Sequence, residues 1–284
     1  MNDKLLFDGC LLLCDVDGTL IYDGIIPPRN IEKINDFIQQ GGMVSLATGR
    51  SVAAAEMIIS RLGAVSPSVV SNGGVIFDFQ SKKPLKSWNL SEESHAFAKM
   101  ILDTHPEFGI EIHLPDQVYL LNKSEEVLLH EEYECFTAKD IDWDSVNCMD
   151  WNKVLFALNC EQEVDVIQKL SQPYWTEETI FVQTKAPFGV REHFYFEQVP
   201  AGISKGTAAK ELCKILSVPK GCCFAIGDYY NDLEMIKSAD VSATTSEAPD
   251  DIKLQTDYVT GSMRNGAVAD FIDYLKKCRK GCNE

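Results

Sequence analysis

GCLLLCDVDGTL, residues 9–20, is the stretch whose reading decides the fold. Leu11-Leu12-Leu13-Cys14 is an apolar run too short for a core helix and too uncharged for a solvated face, which makes it a strand buried on both sides. The run stops at two acids, Asp15 and Asp17. In open α/β sheets the carboxyl ends of strands are where ligands bind, so acids at that end point to chemistry. Gly18 lets the chain leave the sheet sharply and Thr19 sets a hydroxyl beside the acids. Taken alone, the pair is also compatible with ordinary turn formation after a strand.

The flanking sequence alternates. Ile31, Ile34, Phe37 and Ile38 in IEKINDFIQQ fall at helical spacing, and Gly41-Gly42 ends that helix. MVSLA follows as a second short strand that runs into Thr48-Gly49-Arg50, and a helix is expected from Ser51 to Leu62. Pro67 to Ser71 is a third strand, followed by Asn72-Gly73-Gly74 and an extended VIFDF that could pair with it as a hairpin. Strand, helix, strand, helix predicts a parallel sheet with crossover helices. The same alternation returns after residue 200: Ser204 is placed to cap the helix TAAKELCKIL, CCFAIGD is a strand ending in Asp228, and short helices and strands continue to a C-terminal helix from Ala267.

Between these halves, from residue 82 to 199, short strands (GIEIHL, QVYLLN, VLFALN, IFVQTK, HFYFEQV) alternate with helices, amphipathic in EESHAFAKMILDTH and polar from Ser124 to Glu134. This reads as an α+β module with a mostly antiparallel sheet and helices on one face. The expected organisation is therefore a Rossmann-like α/β core, residues 1–81 and 200–284, interrupted by an inserted α+β domain, residues 82–199.

Composition narrows the function. The 284 residues suffice for two domains, and 45% hydrophobic with 24% charged residues is a globular balance. A formal net charge of −17 argues against binding nucleic acid or an anionic membrane through the overall field, so an anionic substrate must be held locally. The ten cysteines, some within apolar runs, read as buried free thiols; they form no C-x-x-C pair or zinc-type cluster. With no long apolar run and no basic-plus-apolar leader at MNDKLLFDGC, a cytoplasmic location is expected.

Four strand or helix ends in the α/β halves carry chemically capable residues: Asp15 with Asp17, Thr48, Lys205, and Asp228 with Asn231 and Asp232. Carboxylates converging at one sheet edge repel each other unless a cation joins them, and hard oxygen ligands suit Mg²⁺. Phosphoryl transfer asks for that set: charge neutralisation, an in-line nucleophile and a proton donor.

DVDGTL (15–20), ATGR (47–50), SNGG (71–74), Ser204-Lys205-Gly206 and GDYYNDLEM (227–235), in this order and with an insertion of domain size, resemble the haloacid dehalogenase superfamily, specifically its Cof-type (subfamily IIB) phosphatases. The resemblance implies Asp15 as the nucleophile that becomes an aspartyl-phosphate and Asp17 as the general acid and then base. It implies Mg²⁺ held by Asp15, Asp228 and the backbone carbonyl of Asp17, phosphoryl oxygens held by Thr48 and Lys205, and Asn231 with Asp232 orienting the ligands. Gly49, Arg50 and Asn72 are looser substrate-binding candidates, Arg50 being equally suited to satisfying carbonyls or pairing with an acid. The insertion would be a cap that closes over the site and reads the leaving group, with His113, Arg191, His193 and Tyr195 as candidates to meet it, and Trp143, Trp151 and Trp175 as its core. The family's Gly-Asn-Ala run is replaced by Thr244-Thr245-Ser246-Glu247-Ala248-Pro249, and its C-terminal Asp-Gly-Val by Asn265-Gly266-Ala267-Val268.

The expected activity is thus Mg²⁺-dependent hydrolysis of a small phosphorylated metabolite, a sugar phosphate or cofactor-like phosphate, by a monomer or small homo-oligomer. A phosphomutase or phosphotransferase would share the intermediate and deliver it to a second alcohol. A non-catalytic aspartate phospho-acceptor would need neither Asp17 nor the inserted domain.

Overall fold

The computed structural model describes residues 5–63, 65–147, 149–185 and 193–281. Two compact units emerge, one of Met1–Gly49, Ile58–Lys83 and Ser204–Glu284, the other of Arg50–Met57 and Pro84–Ile203. Residues 50–57 thus group with the second unit instead of with the rest of residues 1–81. The reason is local packing: Ala54, in the first half of the helix Val52–Leu62, is buried against Val118 and Phe136.

In the first unit, the described residues form a parallel sheet of five strands, ordered Tyr258–Val259, Val241–Thr244, Cys223–Gly227, Leu11–Cys14, Met43–Leu46. Leu11–Cys14 is fully buried, as its uninterrupted apolar sequence requires in the middle of such a sheet. A parallel bridge between Ala47 and Val69 brings the third predicted strand alongside the second, and Ser68–Val70 pairs antiparallel with Val75–Asp78 in the anticipated hairpin. The helices Pro28–Gln39 and Ala267–Gly281 unite the two ends of the chain: Ile34 and Phe37 share one core with Phe271, Ile272 and Leu275. Leu12, Cys14, Phe224 and Ile226 complete it from the sheet.

Strand order places Leu11–Cys14 between the strand that follows it in sequence and one more than 200 residues later, the point where the winding of the sheet reverses. Ligand sites in open α/β sheets lie at such a switch point. Register then fixes what meets there. Cys14 pairs with Ile226 on one side and Leu46 on the other, so Asp15, Asp228 and Thr48 all emerge within about two residues of one another at the same edge.

The second unit holds a six-stranded sheet ordered Thr179–Lys185, Phe194–Pro200, Lys153–Leu158, Gly109–His113, Val118–Asn122, Lys139–Asp140, antiparallel but for its last pair. Ile110, Phe156 and Phe196 share one row of one face, packed with Phe97, Ile101 and Ile167 from the helices His95–Thr104 and Glu161–Ser171. The opposite face was expected to be open. Instead, Val127 of the helix Glu125–Glu134 packs there on Leu155, Ala157 and Tyr195, and Gly109–His113 and Lys153–Leu158 are buried along their whole length. That helix gave no apolar stripe because several of the groups it buries, Glu126 and His130 among them, are ionisable.

Two strands escaped the sequence reading, Lys83–Ser87 and Lys139–Asp140, whose lysines, serine and aspartate give no apolar alternation. Of the cysteines expected to be buried, Cys10 and Cys14 are; Cys160, Cys213, Cys222 and Cys223 are half-buried, and Cys135 and Cys278 are exposed. The described ones are free thiols. Among the described residues no helix is long and apolar enough to cross a membrane.

Candidate active site

Asp15, one residue past the central strand, is 4% exposed and its backbone N–H donates to the Ile226 carbonyl at 2.9 Å, so the carboxylate is anchored to the sheet. Lys205 begins the helix Lys205–Ile215 and is itself only 2% exposed. Ser204 caps this helix, accepting the Thr207 N–H while the Thr207 hydroxyl accepts the Ser204 N–H. Fixed in this way, Lys205 extends its Nζ to Asp15 Oδ1 at 2.6 Å and to Asp232 Oδ1 at 2.7 Å. Burial works against its charge, but the Asp15 and Asp232 carboxylates outweigh it and hold the amine well above the ordinary lysine range.

Asp232 acts on both sides of the site. Its Oδ2 accepts the backbone N–H groups of Asp228 and Tyr229 at 3.0 and 3.2 Å, which fixes the turn after the Cys223–Gly227 strand. Asp228, at the head of that turn, receives the Thr19 hydroxyl on Oδ1 at 3.2 Å. Gly18 makes this approach possible: its φ is +85°, and a Cβ there would sit 2.4 Å from Asp228 Oδ2.

The carboxylates of Asp15, Asp228 and Asp232 lie within 4.8 Å of one another. One lysine neutralises part of this charge. Burial, then the Asp232 charge, push Asp228 up to about 6, and burial with the same neighbour raises Asp15 well above the usual carboxylate range. Asp15 Oδ2 is buried and has no hydrogen-bond partner among the described residues. An unpartnered carboxylate oxygen beside a second carboxylate, with a hydroxyl and a lysine already in place, is a donor set that fits a hard divalent cation such as Mg²⁺. Asp15 and Asp228 are the side chains suited to hold it. Asp232 has both oxygens engaged, by Lys205 and by the turn, so its place is to orient.

The other predicted residues are distributed unevenly. Thr48 is buried, its N–H bound to the Val69 carbonyl, and its own carbonyl accepts the Asn72 N–H at 3.0 Å. Asn231 Nδ2 donates to Asn72 Oδ1 at 3.3 Å, and the side chain of Asn72 lies against Gly49, where a Cβ would come within 3.0 Å of its Oδ1. Ser71 and Asn72 both hold left-handed backbone, φ 52° and 53°, and Gly73 at φ +105° lies so close to Ser204 that a Cβ would meet its carbonyl oxygen at 2.2 Å. Strained backbone in this loop sets it directly on the start of the lysine helix. Asp17 is exposed at the mouth of the loop. Arg50 belongs to the second unit, where it donates to the Glu134 carbonyl at 3.4 Å and lies over the Tyr133 ring.

Sequence reading missed Asn30, fully buried, which donates to the Leu20 carbonyl and accepts the Ala269 N–H, clamping the end of the acidic loop to the C-terminal helix. An asparagine two residues inside a helix gave no signal for this. Thr244, where the family pattern is broken, is fully buried and donates to the Gly227 carbonyl at 2.7 Å, so the substituted stretch braces the strand that leads to Asp228.

In the second unit, His113 and His193 are buried and bound to Glu111 at 2.9 Å and to the Tyr195 hydroxyl at 2.7 Å. Glu111 also receives His130 at 2.8 Å, and Lys153 reaches Glu197 at 3.3 Å, so the inner face of this sheet is an ionic layer. Burial alone would raise the Glu111 carboxyl and lower the His130 imidazole, but their attraction overrides it and moves them to about 2 and about 10. Arg191 lies outside the described residues. Trp151 is core, with Trp143 edge-on to it, whereas Trp175 is half exposed and donates to Ser171.

Most of the chain's length is similar to known proteins. The haloacid dehalogenase-like hydrolase family model matches residues 12–272. The chain is 25% identical over 286 residues to the 5-amino-6-(5-phospho-D-ribitylamino)uracil phosphatase of Bacillus subtilis, covering 92% of this chain and 96% of that protein. It is 25% identical over 272 residues to the HMP-PP phosphatase of Serratia proteamaculans, with 92% and 93% covered. Among solved structures, a haloacid dehalogenase-like hydrolase from Bacteroides thetaiotaomicron superposes with a TM-score of 0.80 at 22% identity, covering 94% of this chain and 99% of that one.

Proposed function

Because the chain belongs to the haloacid dehalogenase-like hydrolase family, we propose that it is a Mg²⁺-dependent phosphatase that hydrolyses a small phosphorylated metabolite, a sugar phosphate or cofactor-like phosphate, through an aspartyl-phosphate on Asp15. The observation that carries this reading is a carboxylate buried to 4% exposure, held on one oxygen by Lys205 and unpartnered on the other. A buried acid paired with a lysine and facing further carboxylates is costly to maintain for stability alone.

A carboxylate oxygen of Asp15 attacks phosphorus as the bond to the leaving alcohol breaks, and Asp17 gives that alcohol its proton. Asp17 then takes a proton from water as the water attacks phosphorus, which releases inorganic phosphate and restores the Asp15 carboxylate. Lys205 and Thr48 hold phosphoryl oxygens, and Asp232 keeps Lys205 and the Asp228 turn in place. Asp15 and Asp228, with the Asp17 carbonyl, would hold Mg²⁺, which supplies charge neutralisation for the phosphoryl group. The second unit is the module assigned to substrate choice, in keeping with its insertion between the segments of the first.

The test is phosphate release across a panel of phosphorylated sugars and cofactor precursors, with and without chelator. Release from one or a few members, abolished by chelator and restored by Mg²⁺, is the expected result. Full turnover in chelator overturns the metal assignment, and no release from any phosphate ester overturns the activity. The two related phosphatases support small phosphorylated metabolites as the substrate class.

A further inference from the structure

Away from the acidic site, a pocket of about 200 Å³ in the first unit is lined by Cys213, Cys223, Lys210, Lys220, Ser238 and Asp240. Cys213 is in the last turns of the helix that Lys205 begins, and Cys223 opens the strand that leads to Asp228. The two thiols are ten residues apart in sequence and their Sγ atoms are 3.3 Å apart, with the Cys213 thiol donating to the Cys223 sulfur. Both are free and half-buried, and both face the pocket.

We propose that Cys213 and Cys223 form an oxidative modification site, a dithiol that a small hydroperoxide entering this pocket converts to an intramolecular disulfide. One of the two thiolates attacks the terminal peroxide oxygen, the O–O bond breaks, and the departing hydroxide or alkoxide takes a proton, leaving that cysteine as a sulfenic acid. The other sulfur then attacks it, the S–O bond breaks, water leaves, and the disulfide forms. Two thiols lose two electrons and two protons, and hydrogen peroxide becomes two waters.

Either thiol can be the one oxidised first, because the 3.3 Å contact leaves the other sulfur within reach of it. The neighbouring thiols are placed differently. Cys10 is fully buried and pushed up to about 12, first by burial and next by its hydrogen bond with Cys222, and Cys222 receives Arg279 at 3.1 Å. The structure therefore singles out the Cys213–Cys223 pair, whose sulfurs touch and face the pocket.

The full-length protein, reduced and then treated with hydrogen peroxide, is alkylated and mapped by peptide mass spectrometry. The expected product is a Cys213–Cys223 linked peptide lighter by two hydrogens, together with a rise in Tm on the order of 5 °C from closing the loop. Loss of these thiols to sulfinic acid without the link, or a disulfide between other cysteines, overturns the proposal. In C223S or C213S the remaining thiol cannot close the link, so dimedone should label it after peroxide in at least one of the two variants. Labelling in neither likewise overturns the proposal. C213S and C223S should fold as the parent does before oxidation, since serine keeps size and hydrogen bonding, and neither should gain Tm on peroxide treatment.

Discussion

Lys205 Nζ is 2.6 Å from Asp15 Oδ1, although the two residues are 190 positions apart, and both side chains are almost fully buried. The lysine sets a cation beside a nucleophile candidate that also faces Asp228 and Asp232. Lys205→Ala leaves Asp15 and Asp232 buried without it, a loss of about 3–5 kcal/mol typical of a broken buried pair. Thermal unfolding of the variant should show it, with part recovered on adding Mg²⁺. Turnover of an aryl phosphate should fall about 10²–10³-fold. Stability equal to the parent's in metal-free buffer would remove the charge-compensating role.

The two acids of the opening loop should separate cleanly. Asp15→Asn is expected to abolish turnover of a generic aryl phosphate and leave circular dichroism unchanged, because the amide keeps shape and loses the nucleophile. Asp17→Asn should slow turnover about 10²–10⁴-fold for substrates with poor leaving groups and much less for a nitrophenyl ester, which leaves without a proton. Equal slowing for both kinds of ester would count against Asp17 as the acid.

Gly18 combines a left-handed φ with contact against Asp228, so Gly18→Ala faces two obstacles at once. The backbone term costs about 1–2 kcal/mol, and the methyl must displace the Asp228 carboxylate. A Mg²⁺ titration of activity should show an apparent affinity reduced by about tenfold or more. An unaltered Mg²⁺ dependence would mean that Asp228 is no ligand.

The ionic layer of the second unit predicts a pH dependence with two limbs. Glu111, lowered to about 2 from 4.5, contributes stability that is complete above 4.5 and lost as pH falls toward 2. His130, raised to about 10 from 6.5, contributes stability that is complete below 6.5 and lost as pH rises to 10. Urea unfolding of His130→Gln should show lower stability at pH 6, with the difference from the parent shrinking toward pH 10. A constant difference across that range would show that the imidazole is neutral in the folded protein.

Much of the fold of the first unit was legible because its signals are local. A run such as Leu11–Cys14 can only be a buried strand, and acids, threonine or lysine immediately beyond strand and helix boundaries stand out against it. The inner face of the second sheet was not legible. Glu111, His113, Lys153 and Glu197 alternate with apolar residues as they would on a solvated face, and only their mutual pairing explains burial. The helix Glu125–Glu134 reads as polar from its sequence, and its burial of Glu126 and His130 on the second face of the sheet was not legible for the same reason.

By itself the sequence determined the α/β alternation, the inserted module and the chemically capable residues Asp15, Asp17, Thr48, Lys205 and Asp228, because each depends on residue type next to an element boundary. The tertiary structure decided which of them touch. Parallel register brings the ends of the Leu11–Cys14 and Cys223–Gly227 strands level, and the Ser204 cap aims Lys205 at Asp15 and Asp232. It also decided that both Asp232 oxygens are engaged while Asp15 keeps an unpartnered one, since hydrogen-bond partners distant in sequence leave no trace in local pattern.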